Sequence, residues 1–216
     1  SQGLFQTQEE VDNSPVMNAN VRPGDVKYLD ISGPNGEPDG KISPEYDRTL
    51  LGGSMPRFMY GGNIQLDFRN FDFGLVIQGV GKQNSRLSGL MVEPIVENWG
   101  SVPQILDGNY WSTYNTPTEN ENVGYPRLTR NSQSNNYAMS DFWMINGGYF
   151  RLKNISLGYT LPSSMAERLG MQNIRVYGNA SDLLTIDNYP QGWDPEVSTT
   201  GYPITSSFLM GVSVQF

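Results

Sequence analysis

Five segments of the chain alternate apolar residues with polar or small ones. From 57 to 68 the even positions carry Phe58, Tyr60, Gly62, Ile64, Leu66 and Phe68, while Gly61, Asn63, Gln65 and Asp67 take the odd ones. After Arg69-Asn70, the residues Phe71, Phe73, Leu75 and Ile77 oppose Asp72, Gly74 and Gln78. Ile155, Leu157 and Tyr159 alternate with Asn154, Ser156, Gly158 and Thr160; Ile174, Val176, Gly178 and Ala180 alternate with Arg175, Tyr177, Asn179 and Ser181. The last segment sets Phe208, Met210, Val212, Val214 and Phe216 against Ser207, Gly211, Ser213 and Gln215, with Leu209 as the exception. Successive strand side chains point to opposite faces, so each segment predicts a β-strand with one oily and one wet face. Each is about the ~9–11 residues that a tilted strand needs to cross a bilayer.

The connections divide the chain further. Residues 1–56, 82–148 and 185–205 are long, whereas 69–70 and 161–172 are short, and long and short alternate strictly. A secreted β-sandwich shows the same alternation along its strands, but its connections are usually short. Outer-membrane barrels have short periplasmic turns and long external loops. The prediction is therefore all-β, part of an antiparallel transmembrane barrel. Residues 57–81 and 149–184 form wall hairpins, 206–216 a last strand, and 1–56, 82–148 and 185–205 extracellular loops. Phe68, Phe71, Phe73, Tyr159 and Phe216 would lie near one interface, with Phe58 and Tyr60 near the other. Arg151 and Lys153 share the parity of Ile155, so on this pattern they stand above the lipid at the start of a strand. In the 161–172 turn, a serine after Pro162, Glu167 and Gly170 predict a short helix with a serine cap. The competing architecture is a soluble, secreted all-β module that binds glycans.

Composition removes other options. The chain of 216 residues has no cysteine and no histidine, so disulfides, thiolate chemistry and histidine-based catalysis or zinc binding lack their usual residues. Net charge is −8, and nine acids face four bases in residues 1–50. No basic stripe invites nucleic acid. No apolar run approaches the ~20 residues of a spanning helix. Ser1 opens no signal peptide, so a membrane-embedded chain would be a piece of a longer one.

The residues also carry a family likeness. Pro23-Gly24-Asp25-Val26-Lys27-Tyr28 leads to Asp30, Asp39-Gly40-Lys41-Ile42, Asp47-Arg48-Thr49 and Gly52. Tyr60-Gly61, Phe71-Asp72-Phe73, Gln78-Gly79, Tyr110-Trp111 and Tyr125-Pro126-Arg127-Leu128 follow in order. The densest run is Gly148-Tyr149-Phe150-Arg151-Leu152-Lys153-Asn154-Ile155-Ser156-Leu157-Gly158-Tyr159. Leu161-Pro162, Arg175-Val176-Tyr177, Trp193-Asp194-Pro195-Glu196 and Gly201-Tyr202-Pro203 complete it. In this order the chain resembles the C-terminal region of a SusC/RagA-type TonB-dependent outer-membrane transporter. The resemblance implies the last five strands of a 22-stranded barrel, with the plug and the TonB-contacting segment outside this chain. It further implies a SusD-like surface lipoprotein as partner, import of glycans or peptides, and no enzymatic activity. The terminal alternation Phe208, Met210, Val212, Val214, Phe216 then reads as an outer-membrane targeting signal for the barrel assembly machinery. Where the family often has Asn-Leu, this chain has Asp182-Leu183, and its acidic loop is stretched by residues 33–38.

Three sets of residues invite chemistry. Asp30, Ser32, Asp39, the Lys41 carbonyl and Asp47 resemble half of a Ca²⁺-binding loop, with oxygens at alternating positions and Gly40 for the bend. An acidic hairpin held by Asx turns accounts for the same residues. Trp99, Tyr110, Trp111, Trp143 and Trp193 lie in the long connections, where aromatic faces stack on sugars, meet a partner or pack the loops together. The pairs Glu119/Glu121 and Asp194/Glu196 have the residue types of glycoside hydrolysis, but acidic loop residues are ordinarily solvated.

Overall fold

A computed structural model of the chain describes residues 1–95, 101–130, 135–197, 199 and 201–216. Five long strands form one antiparallel sheet: β1 (Met59–Phe68), β2 (Phe71–Val80), β5 (Tyr149–Thr160), β6 (Asn173–Ile186) and β7 (Ser207–Gln215), in the order β1-β2-β5-β6-β7. Between β2 and β5, two short strands, β3 (Asn84–Arg86) and β4 (Met144–Asn146), pair with each other. Among the described residues there are also three short α-helices, α1 (Gln8–Asp12), α2 (Pro117–Asn122) and α3 (Ser163–Arg168), and three single-turn 3-10 helices.

Register turns the alternation along each strand into rows across the sheet. Phe68, Phe71, Tyr159, Val176 and Val212 face one another; so do Leu66, Phe73, Leu157, Gly178 and Met210, and then Ile64, Leu75, Ile155, Ala180 and Phe208. The rings of Phe71 and Tyr159 lie 4.6 Å apart. On the other face one row runs Asn63, Val76, Asn154, Ser181, Ser207 and the next Gln65, Gly74, Ser156, Asn179, Leu209. A slip of one residue would exchange the faces, so the apolar rows fix the register.

Apart from Ile174, which is buried where α3 meets β6, the apolar face carries no buried apolar side chain among the described residues. Met210 is 86% exposed, and Leu66, Phe68, Phe71, Leu157, Phe208, Val212 and Phe216 are exposed too. A sandwich would bury these side chains under a second sheet. Among the described residues, each outer strand, β1 and β7, pairs with a neighbour on one side only.

The two short turns share one end of the sheet. Thr160 donates its N–H to the Asn70 carbonyl (2.8 Å), and Asn70 Nδ2 donates to the Thr160 carbonyl (2.6 Å). At the β1–β2 turn, Arg69 takes a left-handed φ of 55°. The serine cap expected on α3 does not form. Pro162 holds the N-cap position with no side-chain hydrogen bond, because a proline at this bend fixes the backbone without needing one. Gly170 closes the turn at φ 75°, as the sequence predicts.

A second difference lies in β5. The register shifts between Leu152 and Asn154 against β6, and between Val76 and Ile77 on β2. The extra residue moves Leu152 onto the apolar row of Ile77 and Leu184, and sets Arg151 opposite Gln78 and Thr185 on the polar side. Parity without the bulge puts Arg151 on the oily side, and the bulge reverses it.

Residues 1–52 and 85–145 form a compact unit of their own, which the expectation of plain loops did not include. Apolar clusters hold it: Leu4, Val26 and Trp111 with Tyr28, Val123 and Phe142, and Phe5, Val11 and Val21 with Val16. The Gly24–Lys27 backbone pairs with the first residues of the chain, Gly24 N–H to Phe5 carbonyl (2.7 Å) and Lys27 N–H to Gly3 carbonyl (2.9 Å). Arg127 N–H joins from the other side, donating to the Gly24 carbonyl (2.8 Å).

Candidate functional site

The polar face of the five-stranded sheet concentrates the hydrogen-bonding groups that the wall strands carry. Asn154 Nδ2 donates to Asn179 Oδ1 at 2.9 Å and reaches Ser181 Oγ at 3.4 Å. Towards the short turns, Arg175 grips Asp72 with Nε at 3.1 Å and Nη2 at 2.5 Å. This bidentate pair crosses directly over Gly158, where a Cβ would collide with both partners. Glycine is required there because two long side chains approach the backbone between them.

Towards the long connections stands a denser ion network. Arg151 is 1% exposed. Its Nη2 donates to Asp194 Oδ2 at 2.7 Å, its Nη1 lies 2.9 Å from Glu196 Oε1, and its Nε donates to Thr185 Oγ1 at 2.8 Å. Its guanidinium also stands over the Tyr149 ring, whose hydroxyl accepts from Gln78 Nε2 (2.9 Å). Lys153 Nζ shares the acids, reaching Asp182 Oδ1 at 2.9 Å and Glu196 Oε2 at 3.2 Å. Asp182 sits at φ 51°. Its charge serves Lys153, a use that a neutral amide would lack.

The connection from β6 to β7 supplies two of these acids from a fixed turn. Asp194 Oδ1 accepts the Glu196 N–H (2.8 Å) and Asp194 Oδ2 the Ile204 N–H (3.2 Å). Trp193 Nε1 donates to the Thr199 carbonyl (2.8 Å), which fixes the indole expected to contact a ligand or partner.

Other expected contact residues fall in the 1–52/85–145 unit. Trp143 is 1% exposed and donates its Nε1–H to the Asn136 carbonyl (2.6 Å). Trp111, 8% exposed, packs on Leu4 and Val26. Both are core side chains of this unit and offer no face to a ligand. Of the roles open to these rings, packing of the connections is the one their burial matches, since a large ring among other apolar groups gains more from burial than from water. Tyr110 is half-buried and bridges Tyr125 through the backbone. Trp99 lies outside the described residues.

At the centre of the same unit is Asp25, fully buried. Its Oδ2 accepts the Arg22 N–H (2.8 Å) and Arg127 Nη2 (3.1 Å); its Oδ1 accepts Asn136 Nδ2 (2.8 Å) and stands 2.7 Å from Arg127 Nε. Asn136 Oδ1 in turn accepts the Val26 N–H (2.9 Å). The Pro-Gly-Asp-Val and Tyr-Pro-Arg stretches, far apart in sequence, meet at this carboxylate through Asp25 and Arg127, joined by Asn136. Burial pushes the neighbouring Tyr137 hydroxyl up to about 12, and the Glu93 carboxylate adds to the shift.

The acidic loop is tied by its own backbone. Asp47 Oδ1 accepts the N–H groups of Ile31 (2.8 Å) and Ser32 (3.2 Å), and its Oδ2 that of Ser43 (2.6 Å). Burial alone would raise the Asp47 carboxyl, but these backbone donors outweigh it and hold it below the ordinary range. Asp39 Oδ1 accepts the Lys41 N–H (3.0 Å) and Asp30 Oδ2 the Gly40 N–H (2.7 Å). Among the described residues, no three His, Cys, Asp or Glu side chains gather as metal ligands. Glu119 closes a capping box with Thr116 at the start of α2, and Asp194 and Glu196 are engaged by Arg151.

Sequence reasoning missed the Arg151 network and the Asp25 centre. Its available signal was Arg151 and Lys153, two cations within three residues of a sparsely charged chain, which need nearby counter-charge.

The chain is 30% identical over 231 aligned positions to TonB-dependent receptor P3 of Formosa agariphila, covering 99% of this chain and 21% of that protein. The chain is homologous to TonB-dependent receptors. It is also 26% identical over 209 positions to TonB-dependent receptor SusC of Bacteroides thetaiotaomicron, covering 93% of this chain and 18% of SusC. The chain thus spans about a fifth of the length of the curated receptors it matches. No protein-family model matches it. Its fold superposes on the solved RagAB peptide importer in the open-open state with a TM-score of 0.60, 19% identity, and 93% and 24% of the two chains covered. The closed-closed state of that importer gives 0.59 at 20% identity, covering 85% and 20%. These structural likenesses speak to fold.

Proposed function

We propose that the five-stranded sheet is a portion of the barrel wall of a TonB-dependent outer-membrane transporter, with its apolar face in lipid and its polar face towards the lumen. The observation that carries this reading is the apolar face. Three apolar rows cross all five strands, hold no fully buried side chain, and lie opposite a face rich in amides, hydroxyls and ion pairs. Lipid is the solvent such a face matches, and the strands have bilayer-spanning length. The outer edges of β1 and β7 would pair with the remaining strands, because a spanning sheet leaves no backbone group unpaired.

On this reading the short turns are periplasmic, while the 1–52/85–145 unit and residues 187–206 are extracellular. The kinship with SusC and the fold of the RagAB importer support a glycan or peptide as substrate. They also support a SusD-like lipoprotein and TonB as partners of the complete protein.

Dependence on detergent tests the reading. The chain should sediment as a monodisperse species in detergent micelles and aggregate in buffer alone. A stable monomer in plain buffer would refute the membrane assignment and favour the soluble glycan-binding module.

A further inference from the structure

The polar face is not bare at the end from which the long connections leave. Arg151 projects from β5 on the polar side of the sheet, yet it is 1% exposed. Its partners beyond the sheet are Asp194 and Glu196, both from the β6–β7 connection. That connection therefore folds back over the polar face.

We propose that residues 187–197 form a strap clamped onto the polar face by Arg151 and Lys153, with Arg151 as the residue that positions it. Three features support the assignment. The Arg151 guanidinium is divided between two strap carboxylates, at 2.7 and 2.9 Å, while Thr185 fixes its Nε at 2.8 Å. Lys153 holds Glu196 from the other side at 3.2 Å, and Asp182 anchors Lys153 at 2.9 Å. The strap itself is stiff: Asp194 folds onto the N–H groups of Glu196 and Ile204, Val197 N–H donates to the Asp194 carbonyl (3.1 Å), and Pro195 fixes φ between the two acids. A stiff loop held at both acids moves as one body. The bulge at Leu152–Asn154 is part of the device, since without it the two cations would point away from the strap.

Within the barrel reading, the strap overhangs the lumen wall and narrows the passage beside Gln78, Tyr149 and Thr185. The clamp itself does not depend on that reading. Its test succeeds or fails on the sheet alone, and the detergent experiment stands apart.

Hydrogen exchange read by mass spectrometry on the intact membrane protein provides the test, comparing wild type with Arg151→Gln and Glu196→Gln. Glu196→Gln keeps size and backbone while removing the charge that both cations share, so it guards against a folding failure of the Arg151 variant. Exchange of amides in 187–197 should rise at least ten-fold in both variants, with the β5–β6 ladder unchanged. Unchanged strap exchange in both, or acceleration spread equally over β5 and β6, would overturn the clamp.

Discussion

Asp25→Asn should loosen the 1–52/85–145 unit far more than its size suggests. The substitution is isosteric, but Asp25 accepts three hydrogen bonds, from Arg22 N–H, Asn136 Nδ2 and Arg127 Nη2, and its charge faces the Arg127 guanidinium, with Nε 2.7 Å away. An amide offers one oxygen and brings a donor of its own, which must face other donors. The buried Asn136 amide and the Arg22 N–H then compete for one acceptor, at about 1–2 kcal/mol for each buried group left unpaired. The Arg127 side chain is 24% exposed, so water recovers part of its loss, leaving about 1 kcal/mol. The sum is about 3 kcal/mol, a change of roughly 100-fold in the opening equilibrium. Trp111 and Trp143 are buried in this unit, Trp143 through a hydrogen bond to Asn136, so their fluorescence reports its opening. Denaturant titration should show a lower midpoint for the tryptophan transition, and exchange of the Val26 amide should accelerate about 100-fold. A midpoint within about 1 kcal/mol of wild type would refute the reasoning, because the carboxylate would then be dispensable to its donors.

Four further outcomes are expected. Leu157→Arg, in the middle apolar row, should cost about 2–4 kcal/mol of folding into lipid vesicles by gel mobility, while Asn179→Arg on the opposite face should fold normally; equal defects would contradict the two-faced wall. Gly24→Ala combines a left-handed φ of 85° with a Cβ driven into the Trp111 ring, so a red-shifted Trp111 emission and a loss of at least about 2 kcal/mol should appear in denaturant titration. The carboxyls of Glu10 and Asp47 both lie below their ordinary values: burial opposes each shift, and backbone hydrogen bonds, joined at Glu10 by the Lys27 ammonium, outweigh it. Their stabilisation is therefore complete above the unfolded-state carboxylate range and is lost as pH falls through the lower folded values, so proteolysis of residues 1–52 should quicken on acidification below about pH 4; acid-independent cleavage would count against it. Ca²⁺ binding through Asp30, Ser32, Asp39, Lys41 and Asp47 predicts a saturable calorimetric signal on chelated protein that Asp30→Asn abolishes, and silence at millimolar Ca²⁺ would leave the loop to its backbone hydrogen bonds.

The sequence by itself determined the strands, their two faces and their order of connection. A period of two over nine or more residues is a local property, and Leu66, Phe73, Leu157 and Met210 could share a row only if each strand kept its own alternation. Tertiary structure alone decided what no local pattern encodes. One inserted residue in β5 turned Arg151 from the oily side to the wet one, and that change created the Asp194 and Glu196 contacts. Likewise Trp111 and Trp143, candidates by position in long connections, are buried in a unit where Asp25, Arg127 and Asn136 draw three stretches together. Contacts between residues a hundred positions apart depend on chain geometry, and alternation along a strand carries no record of them.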